Sequence, residues 1–279
     1  MYIFIIQKKL KNIIIEYIVS IHKKINNSKL IYYEDEPIII NENNNYIFVG
    51  ISYTNYPKFN FKNCYYINLE QLTMDGTNSN YDFLTPVIDL KIQKNNLKIL
   101  DYSYANVNIL NNKSIESKYI PYQVNKDEIF NYEKIYDFVT CCSWNDRIMT
   151  IYNKINKEYK NSYSIGHPIL YGKERDDILF RSKILVNIHH REKDYFILEE
   201  IRIIRCILNK VIVISENSLN HINFLLYKYI IFVDYDKLTE KTIDVLNNYD
   251  DYYNLIFKDF DINEIDSLLS KELFLSLEI

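Results

Sequence analysis

Ile184-Leu185-Val186-Asn187-Ile188-His189-His190, a polar stretch at 191–196, and then Ile197-Leu198-Glu199-Glu200-Ile201-Arg202-Ile203-Ile204-Arg205 decide the fold. The opening five residues are too short and too continuously apolar for a surface helix. They read as a strand buried on both faces of a parallel sheet. The apolar spacing over 196–208 predicts a helix, with Glu199 in its first turn. Strand, polar loop and helix make one βα unit.

Such units recur outward in both directions. Short β-branched runs at 136–140, 211–215 and 230–234 predict further buried strands, and 162–165 adds a weaker one. Helical spacing falls between them at 147–159, 173–182, 219–228 and 237–246. This strict alternation predicts a Rossmann-like α/β domain over 122–279. The N-terminal part alternates less cleanly, with strands expected at 2–6, 29–33, 46–49, 65–68 and 97–100 and a helix over 8–25. Residues 73–82, around Met74-Asp75-Gly76-Thr77-Asn78, have the turn chemistry of a polar surface loop. Pro121 disfavours helix at Ile120, so a second Rossmann-like domain, 1–121, ends there. Two such domains with parallel sheets would face a central cleft, and ligands bind such sheets at strand C-terminal ends.

Composition narrows the chemistry. The 279 residues hold only 4 glycines, which excludes a glycine-rich dinucleotide fingerprint and a Walker A loop. A net charge of -4 leaves no global basic field, so nucleic acid is not an expected partner. Cys64, Cys141, Cys142 and Cys206 lack CxxC spacing and read as reduced thiols, which fits an intracellular, cytoplasmic protein. Lys8, Lys9, Lys11 and Glu16 interrupt the Ile-rich start, so neither a signal peptide nor a transmembrane segment is expected.

A strand end and a helix N-terminus around Asn187, His189 and Glu199 would face one crevice, where free N–H groups suit a diphosphate. Glu199 and Arg202, three apart, share a helix face: a carboxylate for sugar hydroxyls beside a cation for phosphate, or an ordinary ion pair. Weaker candidates are Asp234-Tyr235-Asp236, which has the form of a metal-binding D-x-D motif, and Cys141-Cys142 as a nucleophile. Gly172 to Asp176 could open an anion-binding helix turn.

Tyr171-Gly172-Lys173-Glu174-Arg175-Asp176, Ser182-Lys183-Ile184-Leu185-Val186-Asn187-Ile188-His189, Leu198-Glu199-Glu200-Ile201-Arg202 and Val213-Ile214-Ser215-Glu216 resemble, in this order, the C-terminal half of GT-B glycosyltransferases. The likeness is to viral and bacterial glycosyltransferase-like proteins. Asn68-Leu69-Glu70-Gln71-Leu72, Leu100-Asp101-Tyr102-Ser103-Tyr104-Ala105-Asn106 and Tyr119-Ile120-Pro121-Tyr122 look like that group's N-terminal half. The resemblance implies a GT-B fold and transfer of a sugar from a nucleotide-sugar donor to a glycan or protein acceptor, with no cofactor and no metal. It implies Glu199, His189 and Asp101 as catalytic groups. Arg202, Lys183, Asn187, Arg175, Ser215, Glu216 and Gly172 would bind the donor, and Glu70, Tyr102 and Asn106 would face the acceptor. Two positions depart from the pattern: Arg205 stands where a ribose-binding glutamate is usual, and Lys210 where a glycine precedes the next strand. These departures favour a second reading, a non-catalytic GT-B-like nucleotide- or glycan-binding or assembly module.

Overall fold

The computed structural model describes residues 1–32, 41–49, 64–72, 97–142, 145–166, 170–190, 197–219 and 221–279. The loops expected at 73–82 and 191–196, with Ser143 and Trp144, lie outside them. The chain divides into two compact units, Met1–Gln123 with Ser267–Ile279, and Val124–Asp266.

The first unit holds a parallel sheet of β1 (Tyr2–Ile6), β2 (Ser28–Tyr32), β3 (Asn45–Val49), β4 (Cys64–Asn68), β5 (Leu97–Asp101) and β6 (Ser117–Tyr119), in the order β2-β1-β3-β4-β5-β6. β1 is buried at every position, as an unbroken Tyr-Ile-Phe-Ile-Ile run requires. α1 (Lys11–Lys24) buries Tyr17, Ile18 and Ile21, one face of a helix, and Tyr17 donates to the Ile120 carbonyl at 2.6 Å. α2 (Tyr104–Asn112) follows β5.

The second unit carries β7 (Tyr136–Thr140), α3 (Asp146–Asn156), β8 (Ser162–Ser164), α4 (Gly172–Phe180), β9 (Ser182–Asn187), α5 (Glu200–Leu208), β10 (Ile212–Glu216), β11 (Ile230–Val233) and α6 (Leu238–Asn247). Its strands are parallel in the order β11-β10-β9-β7-β8. The central strands β9 and β10 bury their whole apolar runs, whereas the edge strands β8 and β11 are half-buried. The expected helix at 219–228 does not form; two short 3-10 turns, His221–Asn223 and Tyr227–Tyr229, take its place. Burial falls on Phe224, Leu226 and Tyr229, which is not helical spacing. His221 Nδ1 is held by the Ser218 carbonyl at 2.7 Å and its ring lies 4.3 Å from that of Phe232, local bonds that compete with helix.

Past residue 247 the chain forms α7 (Tyr249–Phe257) and α8 (Ile262–Leu277). From Ser267 on, the tail counts with the first unit, whereas the sequence reading kept it with the second. Gln123 donates to the Leu269 carbonyl at 3.1 Å, and Ser276 donates to the carbonyl of Tyr119.

α5 ends with the paired bonds of a Schellman turn, Val211 N–H to Cys206 O at 2.9 Å and Lys210 N–H to Ile207 O at 3.0 Å. Lys210 occupies the left-handed position at φ 51°. The backbone thus keeps the shape a glycine would give it. That conformation costs a side-chain-bearing residue about 1–2 kcal/mol. The ammonium 5.2 Å from the Phe260 ring offsets about 0.5–1 kcal/mol. Lys210→Gly is therefore expected to raise stability by about 0.5–1 kcal/mol, read as a higher urea midpoint at unchanged slope. A lower midpoint would show that the side chain contributes more than the backbone loses.

Candidate functional site

In the second sheet the chain reverses its direction of growth between β7 and β9, the kind of switch point that opens a crevice at strand C-terminal ends. Thr140 ends β7 with Cys141 and Cys142 just beyond it, Asn187 ends β9 with Ile188 and His189 just beyond it, and Ser215 and Glu216 end β10. Asn145 caps α3 by accepting from Ile148 N–H at 2.9 Å, and its amide donates to the His190 carbonyl at 2.5 Å.

Glu216 is the centre of one cluster. Arg147, in the first turn of α3, grips its carboxylate with both terminal nitrogens, at 2.6 and 2.5 Å. The same guanidinium donates to the His189 carbonyl at 3.0 Å and stacks 3.8 Å from the Tyr235 ring centre. His189 N–H donates to Glu216 at 3.1 Å. His189 Nε2 lies 3.1 Å from the Asn217 carbonyl, which can only accept, and 3.0 Å from the Ser218 hydroxyl, which itself donates to the Glu216 carbonyl, so Nε2 is assigned the proton and Nδ1 is the acceptor of the neutral ring. Burial lowers the proton affinity of His189, against the opposing pull of Glu216, and favours that neutral form.

Arg202 is different. It lies in the first turn of α5 with its side chain 25% exposed, within electrostatic reach of Cys141 and Cys142. Among the described residues it donates no hydrogen bond; its one ion pair is a 4.0 Å approach to Glu199, whose side chain is 37% exposed. Burial pushes the Cys142 thiol up to about 12, so it is no nucleophile at neutral pH.

The structure sets Glu216 against His189 and Glu199 against Arg202, with Glu199 within electrostatic reach of His189, and gives the other donor-side candidates partners elsewhere. Lys183 stands at the opposite end of β9, about 20 Å from His189 at strand rise, paired to Asp137 at 2.9 Å. Asn187 and Ser215 are buried and bonded to each other at 3.0 Å, tying β9 to β10. Arg175 pairs with Asp176 at 2.7 Å, in a cluster where Arg205 also reaches Asp176 at 2.7 Å and Glu128 at 3.0 Å. Arg205 is therefore a buried structural cation. Gly172 opens α4 at φ 57°, a backbone requirement, with open space around its Cα.

In the first unit Asp101 has no exposed surface. It accepts from Asn68 at 2.6 Å, from Ser103 N–H at 2.9 Å and from Asn106 at 2.9 Å. Burial raises its carboxyl to about 7. Asn106 also donates to the Glu70 carbonyl at 2.8 Å and accepts from Leu72 N–H at 3.0 Å. Asp101 and Asn106 thus tie α2 to the end of β4, and Tyr102 is buried beside them, while Glu70 is exposed. A contact of Asp101 with substrate is not what this geometry offers.

Asp234 accepts from Asn217 at 2.6 Å, and Asp236 lies in a 3-10 turn before α6. Among the described residues no group of three or more His, Cys, Asp or Glu could hold a metal ion, and no helix is long and apolar enough to cross a membrane.

Sequence reasoning missed Arg147 and Tyr235. A signal existed: a cation in a helix's first turn opposes the helix dipole, so Arg147 directly after Asn145-Asp146 needs a partner from elsewhere.

Fold and site together define a parallel α/β protein with a polar site at the switch point of its second sheet. No family model matches the chain. It belongs to the family of uncharacterized protein R358 of Acanthamoeba polyphaga mimivirus, with 31% identity over 218 residues, 75% of this chain and 71% of that protein. Uncharacterized protein L137 of the same virus is 30% identical over 198 residues, 66% of this chain and 25% of L137. Among solved structures TarM is similar with a TM-score of 0.53 at 12% identity, over 83% of this chain and 55% of TarM. A point mutant of S. aureus TarM in complex with fondaparinux, alpha-GlcNAc-glycerol and UDP has a TM-score of 0.52 at 12% identity, over 82% of this chain and 55% of that one. This chain spans about half the length of TarM. The likeness shows a shared fold, the GT-B-like α/β class expected from the sequence.

Proposed function

We propose that the protein is a glycosyltransferase that moves a sugar from a nucleotide-sugar donor to a glycan or protein acceptor without a metal ion. The observation that carries this reading is Arg202: an arginine side chain three-quarters buried at a switch point, with no hydrogen bond among the described residues. Arg147 and Arg205 are saturated by carboxylates, whereas Arg202 is placed to meet an anion brought from outside. A nucleoside diphosphate has the required charge, and the TarM complex with UDP supports that ligand class.

In the proposed reaction the bond between the anomeric carbon and the diphosphate oxygen breaks, the diphosphate leaves with the electron pair, and an acceptor hydroxyl forms the new glycosidic bond while its proton passes to the neutral His189 ring. Arg202 and the N–H groups of the first turn of α5 neutralise the leaving diphosphate. Glu199, at the helix start, offers a carboxylate to sugar hydroxyls. His189, neutral, presents an acceptor nitrogen. Arg205 and Lys210 are accounted for by a structural ion pair and a helix end, so neither speaks for the non-catalytic reading.

A thermal-shift screen with UDP, GDP, dTDP and their sugars tests the proposal. A ligand at a hundred times its Kd stabilises the folded state by about 2.7 kcal/mol. One nucleotide class is expected to raise the melting temperature, and transfer from its sugar is expected to persist in EDTA. No response to any member of the panel would overturn the proposal, and loss of transfer with EDTA restored by manganese would overturn its metal-free part.

A further inference from the structure

Both backbone groups of His189 are held by one ion pair. Its N–H is taken by Glu216 and its carbonyl by Arg147, which is itself locked to Glu216. Tyr235 fixes Arg147 from two sides, stacking on the guanidinium at 3.8 Å and donating its hydroxyl to the Arg147 carbonyl at 2.8 Å. The His189 ring is therefore carried on a frame made by β9, β10, α3 and the turn after β11. The charged groups that face it are Glu216 from β10, Glu199 from the start of α5 and Arg147 from α3. Two carboxylates favour a proton on the ring; one guanidinium opposes it.

We infer that Arg147 is a positioning residue for His189: it fixes the peptide groups on both sides of the ring and cancels the Glu216 charge that would otherwise draw a proton onto Nδ1. The role rests on the reading of His189 as a group at the donor site. Arg147 acts through Glu216 and through its own bond to the His189 carbonyl, and need not touch a ligand.

The test is histidine NMR on the full chain, following the protonation and tautomer of His189 as pH is varied. Arg147→Met leaves Glu216 uncompensated, and the His189 midpoint is expected to rise by about one pH unit. Glu216→Gln is expected to lower it. The double variant R147M/E216Q removes both charges, leaves no orphaned carboxylate to unfold the chain, and is expected to return close to the starting value. Arg147→Lys keeps the charge without the fork, so its midpoint stays near that of the parent while the Nε2–H tautomer becomes less exclusive. An unmoved midpoint in R147M, or in the double variant a midpoint no nearer the parent than that of E216Q or R147M, would overturn the inference. None of these readouts needs a donor. A responsive His189 in a chain that binds no nucleotide sugar would sink the transferase reading alone, whereas donor binding with an unresponsive His189 would sink only the role of Arg147. Where transfer is measured, the acidic limb of kcat moves to higher pH in R147M by the same shift.

Discussion

Arg205→Met is expected to lower stability by about 3–5 kcal/mol, the loss typical of a buried ion pair deprived of one partner. Arg205 is 4% exposed, and its three nitrogens serve two carboxylates, Glu128 at 3.0 Å and Asp176 at 3.1 and 2.7 Å. With Arg175 on Asp176, two cations balance two anions. Removing Arg205 leaves one uncompensated negative charge in a desolvated place. Asn209 shows what the cluster holds together, since it accepts from Phe130 N–H at 2.7 Å and donates to the Glu128 carbonyl at 2.9 Å. The end of α5 is thereby fastened to the segment that leads into β7. Urea denaturation checks the expectation, and replacing Glu128, Asp176 and Arg205 together by apolar residues of similar size should recover most of the loss. A cost under about 1 kcal/mol for the single variant would place the cluster with surface ion pairs instead.

That cluster also shows what could be read from the chain alone. Hydrophobic runs carry the sheet: Ile184-Leu185-Val186 has no polar face to give to solvent, so its burial in β9 follows from composition, and the same holds for Ile212-Val213-Ile214 in β10. Helical spacing is weaker evidence over short spans, and at 219–228 side-chain bonds to the backbone outweighed it. Candidate residues were placeable where sequence adjacency coincides with an element's end, His189 and Glu216 at strand ends and Glu199 at a helix start. Lys183 is in the same run, but strand rise carries it to the other end of the sheet. Asp101 sits at a strand end, yet three donors and full burial give it a bracing task that a one-dimensional pattern does not reveal. Arg147 and Arg205 owe their meaning to partners 69 and 29 residues away, and spacing within one helix carries no trace of such partners.

Arg202→Ala is expected to weaken donor binding about 10- to 100-fold while leaving the fold in place. The two halves of that statement have separate causes. The guanidinium makes no hydrogen bond among the described residues, and its pair with Glu199 is long and partly solvated, a contact worth about 0–1 kcal/mol. Its loss therefore costs little stability. A charge-assisted bond to a diphosphate is worth about 1.5–3 kcal/mol, which is roughly one to two factors of ten in Kd. Arg202→Lys keeps a point charge but not the planar fork, and should fall between the parent and the alanine variant. Lys183→Ala, at the far end of β9, should leave donor affinity unchanged, which separates a local contact from a general effect of positive charge. Calorimetry with the nucleotide that passes the thermal-shift screen gives the answer. Equal affinity in the parent and R202A, with both folded, would remove Arg202 from the site and with it the observation on which the proposed function stands.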